Sequence, residues 1–130
     1  VVGEIGCFKN AAYRAGYEIG YRIHHPADRG KGYMPEALRL FSAYLFELKP
    51  IPRLQLAIVS ENGSSRRVAE KAGFIHEGCL RQATFVRGAY RDLELYGLLR
   101  DECPRLAALL GEATPAVLTL AKSLSKGPLP

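Results

Sequence analysis

The strongest constraint on this chain is a ladder of apolar residues, Met34, Ala37, Leu38, Phe41, Leu45 and Leu48, entered from a glycine-rich loop. Spacings of three and four place these side chains on one face of a helix, and that face has to be buried. Pro35 falls in the first turn, where its missing N–H costs nothing. Pro50 marks the stop, because the residue ahead of a proline is pushed out of the helical region. The loop before the ladder, "HHPADRGKGYM", sets Gly30 and Gly32 among the cations Arg29 and Lys31. A strand that runs into such a loop and then a helix suits an anion, since the first-turn N–H groups and the positive end of the helix dipole point at it. Taken alone, the same letters describe an ordinary turn with solvated Arg and Lys. Two nucleotide loops are excluded by spacing. There is no Gly-x-x-x-x-Gly-Lys-Ser/Thr, and Pro35 stands where the dinucleotide fingerprint needs its third glycine.

Short strand-like runs surround that helix. "VVGEIGCF" and "GYEIGYRI" precede it, separated by the turn-like "KNAAYRAG", and "RLQLAIVS" follows it. "NGSSRRVAEKAGF" reads as a second, short helix, capped by Asn62 or Ser64 and closed by Gly73 in the left-handed conformation. "FIHEGCLRQATFV" and "YRDLELYGLLR", joined by a turn at Arg87-Gly88, read as an antiparallel hairpin. In its second run Leu93, Leu95 and Leu99 lie on one side, and Asp92, Glu94 and Tyr96 on the other. After Asp101, "PRLAALLG" and "TPAVLTLAKSLSKG" look like short helices, the latter with Thr114 as cap and Gly127 at its end. The order strand, strand, helix, strand, helix, strand, strand is that of an α/β or α+β domain with a mixed sheet.

Composition removes several functions. A chain of 130 residues makes one domain with a real core, and a hydrophobic share of 48% argues against disorder. No uncharged apolar run approaches a membrane span, and the opening residues lack the pattern of a secretory leader. The three cysteines, Cys7, Cys79 and Cys103, fit neither a disulfide framework nor a CxxC site, and read as reduced thiols of a cytoplasmic protein. His24 and His25 precede Pro26 in a loop and His76 lies in a strand; with no second ligand at metal spacing, no metal is expected. The net charge of +5 suits an anionic small molecule or an acidic protein as well as it suits nucleic acid. Phe41, Tyr44 and Phe46 read as helix packing rather than a base-stacking platform.

The residues "RGKGYM", Arg29 to Met34, resemble the Arg/Gln-x-x-Gly-x-Gly/Ala pyrophosphate loop of the GNAT acetyltransferases, with Met34 in the place of the final Gly or Ala. "EIGYRI" stands before that loop as the family requires. The later stretches "NGSSRRVAEKAGF" and "GCLRQATFVRGAYRDLELYGLL" are similar to the ribosomal-protein N-terminal acetyltransferases of the RimJ/RimL type. The resemblance covers residues 1–100 and leaves 101–130 as a C-terminal extension of short helices or flexible chain. It implies a GNAT-like mixed, mainly antiparallel sheet flanked by helices. It also implies an N-terminally truncated fold, because family members begin with another strand, two helices and a second strand before the point where Val1 stands.

The resemblance further implies an N-acetyltransferase that moves an acetyl group from acetyl-CoA to a primary amine, such as the N-terminal α-amine of a ribosomal or other protein. The pyrophosphate would rest on the amides of Arg29, Gly30, Lys31, Gly32, Tyr33 and Met34, and the pantetheine arm between the "YEIGYRI" and "RLQLAIVS" strands. A backbone N–H near Ile23 would stabilise the oxyanion. Asn62 would bind the pantetheine arm and Ser65 would donate to the departing thiolate, although helix capping accounts for both residues equally well. Arg66, Arg67 and Lys71 would either meet the 3′-phosphate or form a solvated helix face. The proton acceptor departs from the pattern: RimL-like chains carry a glutamate where this one has Thr84, leaving Glu77 and Glu18 as the nearby carboxylates. An α-amine titrates near ~7.7–8.0 and lysine near ~10.4, so an N-terminal amine asks least of such a site. The alternative is a non-catalytic acyl-CoA-binding or interaction module. An uncovered "VVGEIGCF" would favour a homodimer.

Overall fold

Alternating residues build the first two strands, β1 (Gly3–Phe8) and β2 (Tyr17–Ile23). They pair antiparallel from Gly3 opposite Ile23 to Phe8 opposite Glu18, with Ile5, Tyr17 and Ile19 buried on one face. The computed structural model describes residues 3–9, 15–23 and 32–111, with the backbone alone at positions 22 and 23. The loop carrying His24, His25, Arg29, Gly30 and Lys31, and the tail helix expected from Thr114 to Gly127, lie outside the described residues.

Helix α1 (Tyr33–Leu48) starts from Gly32, whose φ of 78° and ψ of 6° lie in the left-handed region that glycine enters without strain. It ends as Pro50 demands, with Lys49 extended at φ −124°. Met34, Ala37, Leu38, Phe41 and Leu45 are buried, but Leu48 is not: it is 48% exposed on the last turn. The buried stripe instead widens to Leu40 and Ala43, because Leu109 of α3 (Leu106–Leu110) packs there. Arg100 closes the far end of α1, donating from Nη1 to the Phe46 carbonyl (2.6 Å) and from Nε to that of Ile51 (3.0 Å). A cation on orphan terminal carbonyls also suits the helix dipole.

Strand β3 (Arg53–Val59), α2 (Gly63–Lys71) and the hairpin β4 (Ile75–Val86) and β5 (Ala89–Leu99) complete the domain, with a 3₁₀ turn over Arg100–Glu102 ahead of α3. The five-stranded sheet runs β1-β2-β3-β5-β4, antiparallel except at β2–β3. Arg87 and Gly88 both take positive φ (53° and 78°), the turn whose twist matches an antiparallel hairpin. On β5 the buried side is that of Glu94, Tyr96 and Leu98, while Leu99 is exposed. Tyr96 and Leu98 stand opposite Leu56 and Leu54 of β3, and these four share one core with residues of α1 and α2. The leucine-rich side of β5 therefore faces away from those helices. All three cysteines are free thiols. Among the described residues no helix is long and apolar enough to cross a membrane.

Candidate functional site

The parallel pairing of β2 with β3 lasts for two rungs, Tyr17 with Leu54 and Glu18 with Gln55. Beyond them β2 stays paired to β1 as far as Ile23, and β3 stays paired to β5 as far as Val59. The two strands thus part while each remains tied to its outer neighbour, and the sheet opens in a V. The Tyr21 hydroxyl of β2 reaches across to α2 and donates to the Ser65 carbonyl at 2.9 Å. Burial pushes this phenol well above its ordinary range, which keeps it a neutral donor.

The opening leads into a cleft of about 950 Å³, within the usual span of small-molecule sites, roughly 300–1,000 Å³. Its walls come from Tyr21 and Val59, from the start of α1 (Gly32, Tyr33, Met34, Pro35), from the start of α2 (Asn62, Gly63, Ser64, Ser65), and from Val86, Arg87 and Arg91 of the hairpin. Two helix N-termini therefore open into one space. Among the described residues no side chain caps α1. Asn62, not Ser64, caps α2: its Oδ1 accepts from the Ser65 N–H at 3.2 Å and from the Ser64 hydroxyl at 3.1 Å. Among the described residues the lining carries four cations, Arg67, Lys71, Arg87 and Arg91, and one carboxylate, Glu61, which lies 3.5 Å from Arg91. The balance favours an anion. Arg66, grouped with Arg67 and Lys71 by sequence, turns away and donates from Nε to the Tyr96 hydroxyl at 3.1 Å.

Gly32, Tyr33, Met34, Asn62 and Ser65 thus meet at the cleft, and Ile23 ends the arm of β2 beyond the V. Glu77, the base candidate of the sequence, lies elsewhere among the described residues. A register shift between His76 and Gly78 throws it over Gly97, and both of its oxygens accept from Arg53 (2.7 and 3.3 Å), so it does not line the cleft. Glu18 sits on the last paired rung of the V. Thr84 pairs across the hairpin with Arg91, which does line the cleft.

Sequence reasoning missed a polar cluster beside α2. The buried Glu94 carboxylate accepts from the Ser60 hydroxyl on Oε2 (2.5 Å) and from His76 Nε2 on Oε1 (2.7 Å), with Arg66 at 3.9 Å. These bonds, the one from Ser60 foremost, hold Glu94 well below the usual carboxylate range, at about 2. An ionised Glu94 can only accept, so the hydrogen between it and His76 sits on Nε2. The one sequence signal was a glutamate centred in a strand between leucines.

Residues 1–75 match the family model described as the acetyltransferase (GNAT) domain. The chain belongs to the GNAT acetyltransferase family. This GNAT chain is 38% identical over 85 residues to YdaF of Bacillus subtilis, and 34% identical over 84 residues to the ribosomal-protein-serine acetyltransferase of Escherichia coli. Each match takes in 65% of this chain and 46% of the relative, so the chain spans about half the length of the curated relatives it matches. Its fold superposes on Mycobacterium smegmatis RimJ in complex with CoA-disulfide with a TM-score of 0.74 at 27% identity, covering 85% of this chain and 54% of that one.

Proposed function

We propose that this GNAT chain is part of a cytoplasmic N-acetyltransferase that uses acetyl-CoA and modifies the N-terminal α-amine of a protein, a ribosomal protein being the first candidate. The observation that carries the reading is the V between β2 and β3, with two helix N-termini and four cations at its mouth. The names of two relatives, a putative ribosomal N-acetyltransferase and a ribosomal-protein-serine acetyltransferase, support that acceptor class.

When bound, acetyl-CoA supplies an acetyl thioester whose carbonyl carbon a neutral amine attacks. The protein's part is to hold and polarise. First-turn amides of α1 at Tyr33 and Met34, continuing the expected Arg29–Gly32 cradle, take the pyrophosphate, and Arg67 and Lys71 add charge for the remaining phosphate. Strand edges left unpaired by the V offer N–H and C=O groups to the amides of the pantetheine arm, and Asn62 adds a side-chain partner. The backbone N–H of Ile23 donates to the carbonyl oxygen as it gains charge. Ser65 donates its hydroxyl to the departing thiolate, a modest demand since a thiol titrates near ~8.5. The proton passes to water or to one of the carboxylates Glu18 and Glu77, the latter paired with Arg53, and an α-amine tolerates so weak an acceptor better than a lysine does.

Titration calorimetry with CoA tests the first half: saturable binding that weakens with salt is expected, and no binding would overturn it. Acetyl transfer to peptides with free and with blocked N-termini tests the second. Transfer to the free set is expected, while CoA binding without transfer to any peptide would replace the enzyme with an acyl-CoA-binding module.

A further inference from the structure

We propose that Glu94 is a positioning residue for the donor site: through Ser60 and Arg66 it fixes the β3–α2 turn, so that Asn62 and Ser65 face the cleft in one arrangement. The inference rests on the reading of the cleft as the place of acetyl-CoA. A buried carboxylate is retained only where its oxygens are satisfied, because an unpaired one costs several kcal/mol. Glu94 meets that condition with His76 of β4 and with Ser60 and Arg66, which bracket the β3–α2 turn. Ser60 gives its hydroxyl to Glu94, its N–H donates to the Asp92 carbonyl at 3.0 Å, and its own carbonyl accepts from Arg66 Nη1 at 3.5 Å. Arg66 also reaches Glu94 at 3.9 Å and Tyr96 at 3.1 Å, which ties the first turn of α2 to the middle of β5.

Asn62 lies two residues past this clamp. Its N–H donates to the Val59 carbonyl at 2.8 Å, and its side chain holds the Ser65 amide. From the opposite side of the V, Tyr21 grips the Ser65 carbonyl. The cap is therefore held from β5 through Glu94 and from β2 through Tyr21, with the cleft between. A glutamate that merely joined α2 to the sheet would not need a bond to Ser60, in the turn itself.

The test is a cycle of CoA affinities by calorimetry: wild type, Ser60→Ala, Asn62→Ala and the double variant, with thermal unfolding of each. Loss of the Ser60 hydroxyl is expected to weaken CoA by roughly three- to tenfold, the worth of one hydrogen bond. In the Asn62→Ala background the same change should cost less than twofold, because its effect runs through Asn62. Glu94→Gln, which keeps one acceptor oxygen, should fall between wild type and Glu94→Ala. If Glu94→Ala does not fold, the Ser60 cycle decides alone. Losses that multiply in the double variant overturn the proposal, as does a Ser60→Ala protein that melts earlier yet binds CoA like wild type. In that last case an Asn62→Ala defect would leave the donor reading standing, whereas a wild type that fails to bind CoA removes both.

Discussion

Replacing Gly32 separates the backbone's contribution at the mouth of α1 from the ligand's. Gly32 is left-handed (φ 78°), and a Cβ added there would meet nothing within 4 Å. Gly32→Ala is therefore a conformational perturbation with no clash. The left-handed conformation costs an L residue roughly 1–2 kcal/mol, and alanine recovers about 0.4–1 kcal/mol by restricting the unfolded chain. The net loss is about 1 kcal/mol, or roughly 2–5 °C in Tm for a domain of this size. Asparagine tolerates this region better, so stability should run Gly32, then Asn, then Ala, then Val, as measured by urea and thermal unfolding. Gly78→Ala is the control: its surroundings are equally open and its φ is not positive. CoA affinity should follow a different order. Gly32 lines the cleft, so if the proposed phosphate site is right, the added side chain of Gly32→Val should cost on the order of tenfold in CoA affinity, about 1.4 kcal/mol. Gly32→Ala as stable as wild type would refute the backbone argument. Undiminished CoA binding by a folded Gly32→Val would remove this turn from the phosphate site.

Glu94 is held at about 2, below the ~4.3 of an unfolded glutamate, so the unfolded state binds the extra proton between those values. Stability should fall as pH drops from about 5 to about 2, and an acid titration of unfolding should be flatter there for Glu94→Gln. Gln55 accepts on Oε1 from Arg53, but its buried Nε2 finds no partner among the described residues. Gln55→Leu should be neutral or raise stability by about 1 kcal/mol in urea, and a comparable loss would show that the amide is satisfied. Among the described residues β1 lies at the edge of the sheet with Phe8 45% exposed, so sedimentation of this 130-residue chain should reveal a concentration-dependent dimer that Phe8→Glu abolishes; a monomer at high concentration would count against it. Thr84→Glu places a carboxylate opposite Arg91, which should capture it as an ion pair. Faster transfer to lysine acceptors, up to the ~10²–10⁴-fold worth of a general base, is expected only when Arg91→Gln accompanies it. A gain from Thr84→Glu alone would show that Arg91 points elsewhere.

What could be read from the letters was what neighbours in sequence decide. The start and stop of α1, the cap of α2, the Arg87-Gly88 turn and the left-handed Gly32 each depend on a few adjacent residues. What could not be read depends on contacts across the fold. Leu48 continues the helical period yet ends exposed, while Leu40 is buried by Leu109, far along the chain. β5 alternates as expected, but its leucines do not mark the inner side, because Ser60, Arg66 and His76 arrive from three other segments to make Glu94 tolerable there. The partner of Glu77, Arg53, likewise comes from another strand, and a register shift sets where Glu77 lies.

The V itself has no cause in the composition of its strands. Neither "YEIGYRI" nor "RLQLAIV" contains a proline, and both run on for several residues after their pairing stops. Parallel strands of such composition ordinarily continue their ladder, since each abandoned rung leaves N–H and C=O groups that need partners. Two grips favour the open form. Tyr21 is committed to Ser65 on α2, and the turn after β3 is committed to β5 through Ser60 and Glu94. Closing the V would have to break one of these to regain the rungs. The unpaired inner edges are then met by water, or by a ligand that is itself an extended chain bearing amides. A pantetheine arm answers that description, which is why a break in local consistency here reads as a binding site rather than a defect.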